Sequence, residues 1–112
     1  MTAATLSSHI LDLQHGLPGH GLEVSVFSFE PRVLLASGIS DVDGRIREWS
    51  PSLLLKPGTY LASFDTGAWF ATQQQATLYP KVEICFTVSA GQSHYHIPLL
   101  LSPFGYSTYR GS

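Results

Sequence analysis

From Val82 to Val88 the chain alternates without a break, with Val82, Ile84, Phe86 and Val88 on one side and Glu83, Cys85 and Thr87 on the other. A period of two predicts a strand with one buried face, because successive side chains of an extended backbone point in opposite directions. Short runs of this kind, rich in Val, Ile, Leu, Phe and Tyr, recur along the whole chain. They predict strands over residues 6–13, 23–30, 32–36, 47–49, 58–64, 82–88, 94–101 and 106–110. Between them stand HGLPGHG, Pro31, DVDG, SPSLLLKPG, SAGQS and SPFG, whose Gly, Pro, Asp and Ser residues supply the backbone angles of chain reversals. Many short strands separated by turn signals are the pattern of an all-β sandwich or barrel. One segment departs from it. AWFATQQQA contains good helix formers and no turn residue, and predicts a single short helix that Asp65 or Thr66 caps.

Composition narrows the class. A chain of 112 residues has the length of one compact domain, expected to span residues 1–112. Only 12% of its residues are charged and the formal net charge is -2, so the basic footprint required by a nucleic-acid backbone is missing and no nucleic-acid partner is expected. So few charges on so small a domain predict that part of the surface is buried against other copies, because large apolar patches are rare on soluble monomers. Cys85 is the single cysteine. It allows no disulfide within the chain, and its place in a strand predicts a buried thiol. The opening MTAATLSSHILDL lacks a basic segment followed by a continuous apolar one, and no run approaches the roughly 20 apolar residues that span a bilayer. The closing Gly-Ser is not a peroxisomal SKL-type tail. A cytoplasmic protein without a membrane partner is expected, with the peroxisome left open for a eukaryotic source.

Five histidines are the main chemical resource of a chain so poor in charge, because imidazole titrates near neutrality. His9 falls in the first strand on the same side as Ser7 and Leu11, while His94 and His96 are two apart and share one face of theirs. Any one of them alone is most simply a hydrogen-bonded or solvent-facing histidine, and His15 and His20, in a glycine-rich loop, are read that way. His-x-His with His9 as a third ligand also has the composition of a catalytic zinc site. No acidic partners that would orient such ligands are visible, and no metal is expected. Asp41-x-Asp43-Gly44 opens like a calcium loop, but Ser52 stands where the bidentate glutamate belongs. There is no Gly-x-Ser-x-Gly elbow, phosphate-cradling loop or dinucleotide fingerprint, so serine hydrolysis and nucleotide chemistry lack support and no cofactor is expected. Arg45 follows the Asp-Gly turn, where an arginine is ordinarily just solvated. Its planar fork of donors nevertheless suits an anionic, carbonyl-rich ligand. Tyr109, Arg110, Gly111 and Ser112 follow directly on the last strand pattern, which predicts a tail that is tied down, where chain ends usually fray.

SSHILDLQHGLPGHGL near the start and HYHIPLLLSPFGYSTYRGS at the end, with DVDGR between them and YPKVEICF after the helix, resemble the signatures of the transthyretin-like 5-hydroxyisourate hydrolases. The likeness runs from Leu6 to Ser112. YRGS is its most discriminating part, because transthyretin proper lacks it. The resemblance implies an eight-stranded, transthyretin-like (prealbumin-like) β-sandwich with one short helix. It also implies a homotetramer, a dimer of dimers around a central channel lined by the first and seventh strands and the C-terminus. The implied reaction is cofactor-free hydrolysis of 5-hydroxyisourate, opening its six-membered ring to 2-oxo-4-hydroxy-4-carboxy-5-ureidoimidazoline in urate degradation. Carried over by position, the catalytic groups fall on His9, Arg45, His96 and Ser112, and substrate binding on Tyr109, Arg110 and Gly111. Hormone-carrying transthyretins have lysine, glutamate and threonine in place of His9, Arg45 and His96, which favours an enzyme. The alternatives are a carrier of thyroid-hormone-like aromatic ligands and a β-sandwich interaction module.

Overall fold

Two β-sheets face each other across a core built from the inward residues of alternating strands, and the outward residues of one sheet carry the histidines. The computed structural model describes residues 3–112. In chain order the elements are β1 (Thr5–Asp12), β2 (Leu17–Pro18), β3 (Glu23–Ser28), β4 (Leu34–Ile39), β5 (Arg45–Ile46), β6 (Gly58–Phe64), α1 (Thr66–Ala71), β7 (Val82–Val88), β8 (His94–Ser102) and β9 (Gly105–Thr108). One sheet runs β2-β1-β8-β9, with β5 also paired to β1, and the other runs β4-β3-β6-β7. All pairings are antiparallel except that of β1 with β8. The all-β sandwich with one short helix is therefore the observed architecture, and the eight expected strands become nine among the described residues, because Leu17–Pro18 pairs briefly with Leu11 and Asp12 inside the expected turn and Arg45–Ile46 stands in place of the strand expected at 47–49.

The core follows from the period. On β1, Leu6, Ser8, Ile10 and Asp12 are buried while Ser7, His9 and Leu11 are half-buried, so one face looks into the sandwich and the other outward. Ile10, Val24, Phe64, Phe70, Val82 and Leu99 form the largest apolar cluster, joining both sheets and the helix. A second cluster, with Leu6, Val26, Leu55, Val88, Tyr95 and Ile97, continues the core along the sandwich. The inward polar groups are satisfied: Ser8 donates to the Ile97 carbonyl at 2.6 Å, and the Asp12 carboxylate accepts from the backbone of Gln14 and His15 and faces His15 Nδ1 at 2.8 Å.

Four local expectations need correction. The helix ends at Ala71 and not at residue 76: Gln74 adopts a left-handed φ of 55°, and the amides of Gln73, Gln74 and Gln75 turn back on Phe70 and Ala71, as helix ends do when the last turn tightens. Neither Asp65 nor Thr66 caps it with a side chain; Thr66 is buried and donates to the Tyr79 carbonyl at 2.6 Å. Residues 47–49 are not a strand. Arg45 and Ile46 pair with β1 while Ser50 bridges to Ser37 of the other sheet, so this stretch crosses between the layers, held by the Trp49 indole donating to the Leu6 carbonyl at 2.8 Å. Cys85 is exposed, because it shares the outward face of β7 with Glu83 and Thr87.

Candidate active site

The parallel pairing of β1 with β8 puts Thr5 level with His94, Ser7 with His96, His9 with Pro98 and Leu11 with Leu100. Residues paired in register point to the same face. On the other side of β1, Arg45 is paired with His9, and beyond β8, His96 bridges to Gly111. The outer face of this sheet thus carries Arg45, His9, His96 and the Gly111 backbone side by side, drawn from four separate parts of the chain.

Arg45 owes its place to the turn before it. The Asp41 carboxylate accepts from the amides of Asp43 and Arg45, both at 2.9 Å. These bonds, that from Arg45 first, hold Asp41 below the usual carboxylate range, with the charges of Arg47 and Arg45 adding to the effect. Gly44 has a φ of 78°, and a Cβ there would lie 2.5 Å from the Ile10 carbonyl oxygen, so both conformation and close approach require glycine. The same turn aims His9. The Asp43 carbonyl, which only accepts, lies 3.0 Å from His9 Nε2, so that nitrogen carries a proton and Nδ1 remains for a ligand.

His96 is half-buried and its Nδ1 lies 2.7 Å from the Ser7 hydroxyl. Burial pushes its pKa below the ordinary histidine range; the charges of Arg45, His9 and His94 push the same way, and a hydrogen bond to the Ser7 backbone opposes them. The folded chain therefore binds this proton more weakly than the unfolded one. The associated stability is present above about pH 6.5 and is lost as pH falls. Replacing Arg45 by Gln removes one of the charges and should raise the His96 midpoint, followed by NMR titration, toward the free-histidine value. An unchanged midpoint would show that Arg45 does not act on His96.

Gly111 donates its amide to the His96 carbonyl at 2.8 Å, and a Cβ on it would clash with Cδ2 of the His96 ring. Ser112 follows at the exposed chain end. The other two residues of the closing tetrapeptide turn elsewhere. Arg110 lies 4.4 Å over the Tyr95 ring and donates to Gln92 Oε1 at 3.2 Å, and with Tyr109 it lines a cleft of about 400 Å³ between β7 and β8. That cleft holds no histidine, and the groups suited to acid–base chemistry lie on the open face. His15 pairs with Asp12 and the His20 carbonyl accepts from the Trp69 indole, so both serve the scaffold. Among the described residues no three His, Cys, Asp or Glu side chains are grouped to hold a metal ion. Sequence reasoning passed over Ser7, Thr5 and the Asp43 carbonyl, which orient the imidazoles; the shared side of Ser7 and His9 on their strand was the available signal.

A two-layer β-sandwich with imidazoles and a guanidinium on the outer face of one sheet presents acid–base groups and a hydrogen-bond fork suited to a small polar molecule. Residues 6–111 match the HIUase/Transthyretin family, and the chain belongs to that family. It is similar to 5-hydroxyisourate hydrolase of Salmonella typhimurium, 43% identical over 109 residues that take in 96% of this chain and 80% of that protein. Mouse (Mus musculus) 5-hydroxyisourate hydrolase is 37% identical over 114 residues, 98% of this chain and 97% of that one. Among solved structures, Klebsiella pneumoniae 5-hydroxyisourate hydrolase superposes with a TM-score of 0.85 at 38% identity, covering 97% of this chain and 94% of that one. Sea bream transthyretin in complex with thyroxine superposes with a TM-score of 0.87 at 28% identity, covering 96% and 95%.

Proposed function

We propose that the chain is a 5-hydroxyisourate hydrolase acting in urate degradation, with the reaction on the outer face of β1 and β8. The observation that carries this reading is the convergence of His9, Arg45 and His96 on one face from three strands. Fold alone does not separate enzyme from carrier, since a thyroxine complex shares it. The side chains do: two imidazoles and a guanidinium suit water activation and a carbonyl-rich anion better than a hydrophobic hormone.

Hydrolysis adds water to the acyl carbon of the six-membered ring and breaks its bond to nitrogen. One imidazole removes the proton from water as the carbon–oxygen bond forms, and the other delivers a proton to the departing nitrogen. Arg45 holds the substrate's anionic or carbonyl edge and offsets the negative charge of the tetrahedral intermediate. Gly111 and Ser112 close the pocket beside His96, while Arg110 and Tyr109 anchor the segment that brings them there. Replacing Gly111 by Ala should displace the His96 ring or the chain end and lower turnover by about 10²-fold, the loss that a misplaced catalytic group of about 1 Å brings. Full turnover in that variant would contradict the close seat assigned to the chain end.

The substrate is held, in this reading, within a homotetramer, a dimer of dimers in which the outer faces meet across a channel. Three features support it. The imidazole face is open; beside His9 lies an apolar depression lined by Leu11, Leu13, Leu17 and Pro18; and β7 and β9 end their sheets as unpaired edges. Light scattering should return the tetramer mass, and a monomer mass at working concentration would contradict the assembly. The function is tested by following freshly generated 5-hydroxyisourate by its absorbance with and without the protein. Decay well above the spontaneous rate is expected. Decay at the spontaneous rate, together with tight thyroxine binding, would replace the enzyme with the carrier.

A further inference from the structure

The Ser7 hydroxyl lies between two imidazoles, 2.7 Å from His96 Nδ1 and 3.0 Å from His94 Nε2. A hydroxyl has one proton, so it donates to one ring and accepts from the other. The next link decides which. His94 Nδ1 is 2.6 Å from Thr5 Oγ1, and the Thr5 hydroxyl donates to the Ser93 carbonyl at 3.4 Å. A carbonyl only accepts, so with the Thr5 hydroxyl turned to Ser93 it receives the Nδ1–H of His94. Neutral His94 then presents a lone pair at Nε2, Ser7 donates to it, and Ser7 in turn accepts the Nδ1–H of His96. The lone pair of His96 is left at Nε2.

We propose that Ser7 and His94 are positioning residues that select the tautomer of His96, keeping its Nε2 unprotonated as the base for water while His94 is neutral. Which ring nitrogen of a histidine carries the proton is set by the bond that the other one makes. When His94 takes a proton from solvent, both its nitrogens donate. Ser7 must then accept from His94 and turn its own proton toward His96 Nδ1, and neutral His96 carries its proton on Nε2, where it cannot receive one from water. The count balances: His94 gains one proton, Ser7 keeps one, and His96 keeps one that moves from Nδ1 to Nε2. The groups facing this string are His9 from β1, Arg45 from β5 and, from the closing segment, Gly111, the Ser112 chain end, and Arg110, which donates to the His94 carbonyl at 3.4 Å. The catalytic consequence rests on the hydrolase reading; the tautomer does not.

The test uses the full chain labelled with nitrogen-15 in its histidines, read by NMR above the histidine titration range. His96 should show a protonated Nδ1 and a bare Nε2. Ser7→Ala should mix the tautomers and lower kcat/KM by about ten- to hundredfold, in the range of partners that orient an active-site histidine, and Ser7→Thr should restore both. His94 is exposed, so His94→Phe keeps the fold. It should remove one of two protonations from the acid limb of kcat/KM, taking its logarithmic slope from about two toward about one. A His96 proton on Nε2 in the unaltered protein, or the same acid-limb slope with and without His94, would overturn the proposal. Absence of hydroxyisourate turnover would refute the hydrolase reading instead, and the NMR result would still decide the tautomer.

Discussion

Replacing His96 by Ala should lower hydroxyisourate turnover by about 10²–10⁴-fold, the range that a positioned acid or base contributes, and should leave the fold intact. The ring belongs to the outer face of β8, whereas Tyr95, Ile97, Leu99 and Leu101 on the other face fill the core. Removing it therefore opens no cavity between the sheets. His9→Ala should have an effect of the same order for the same reason, since Ile10 and not His9 enters the core of β1. The two losses should not add in the double variant, because both rings serve one water and one leaving nitrogen. Rates corrected for spontaneous decay, beside circular dichroism of each variant, check this. Unchanged turnover in either single variant would remove that histidine from the mechanism.

Phe64→Ala should act on the other half of the account, the scaffold. Phe64 is fully buried, the last residue of β6, in the cluster that joins Val24, Val82, Phe70 and Leu99. Truncating such a ring costs about 3–5 kcal/mol through lost transfer energy and the cavity left behind, a large part of the roughly 5–15 kcal/mol that holds a domain together. Urea unfolding should show a much lower midpoint with an unchanged slope. Turnover per folded molecule should fall little, because the ring belongs to the core cluster and the imidazoles stand on the outer face of the other sheet. An unchanged midpoint would mean that this cluster does not carry the stability assigned to it.

The alternation that made β7 and β8 legible also identified the face of β1 that carries His9, because period is a local property of the chain. Sheet partnership is not local. That β1 runs parallel to β8, with Ser7 beside His96, depends on the closure of the whole sandwich, and no short-range signal announced it. The crossing at residues 47–49 was hidden for the same reason. Trp49 looks like a strand residue, yet its position is set by a bond to the Leu6 carbonyl across the fold. Cys85 shows two rules in conflict: cysteine is usually buried, but the period of its own strand placed it outward, and the period prevailed. At the chain end, the succession of Tyr109 and Arg110 to a strand gave their attachment but not their direction, which is set by the Tyr95 ring and Gln92.

The reaction is assigned to the open imidazole face and not to the cleft beside Tyr95 and Arg110, and one titration separates the two. A non-hydrolysable urate-like analogue, added to protein labelled in its histidine and tyrosine side chains, should shift the ring signals of His9 and His96 and leave those of Tyr95, His15 and His20 in place. Shifts confined to Tyr95 and its neighbours, with His9 and His96 unmoved, would contradict the assignment.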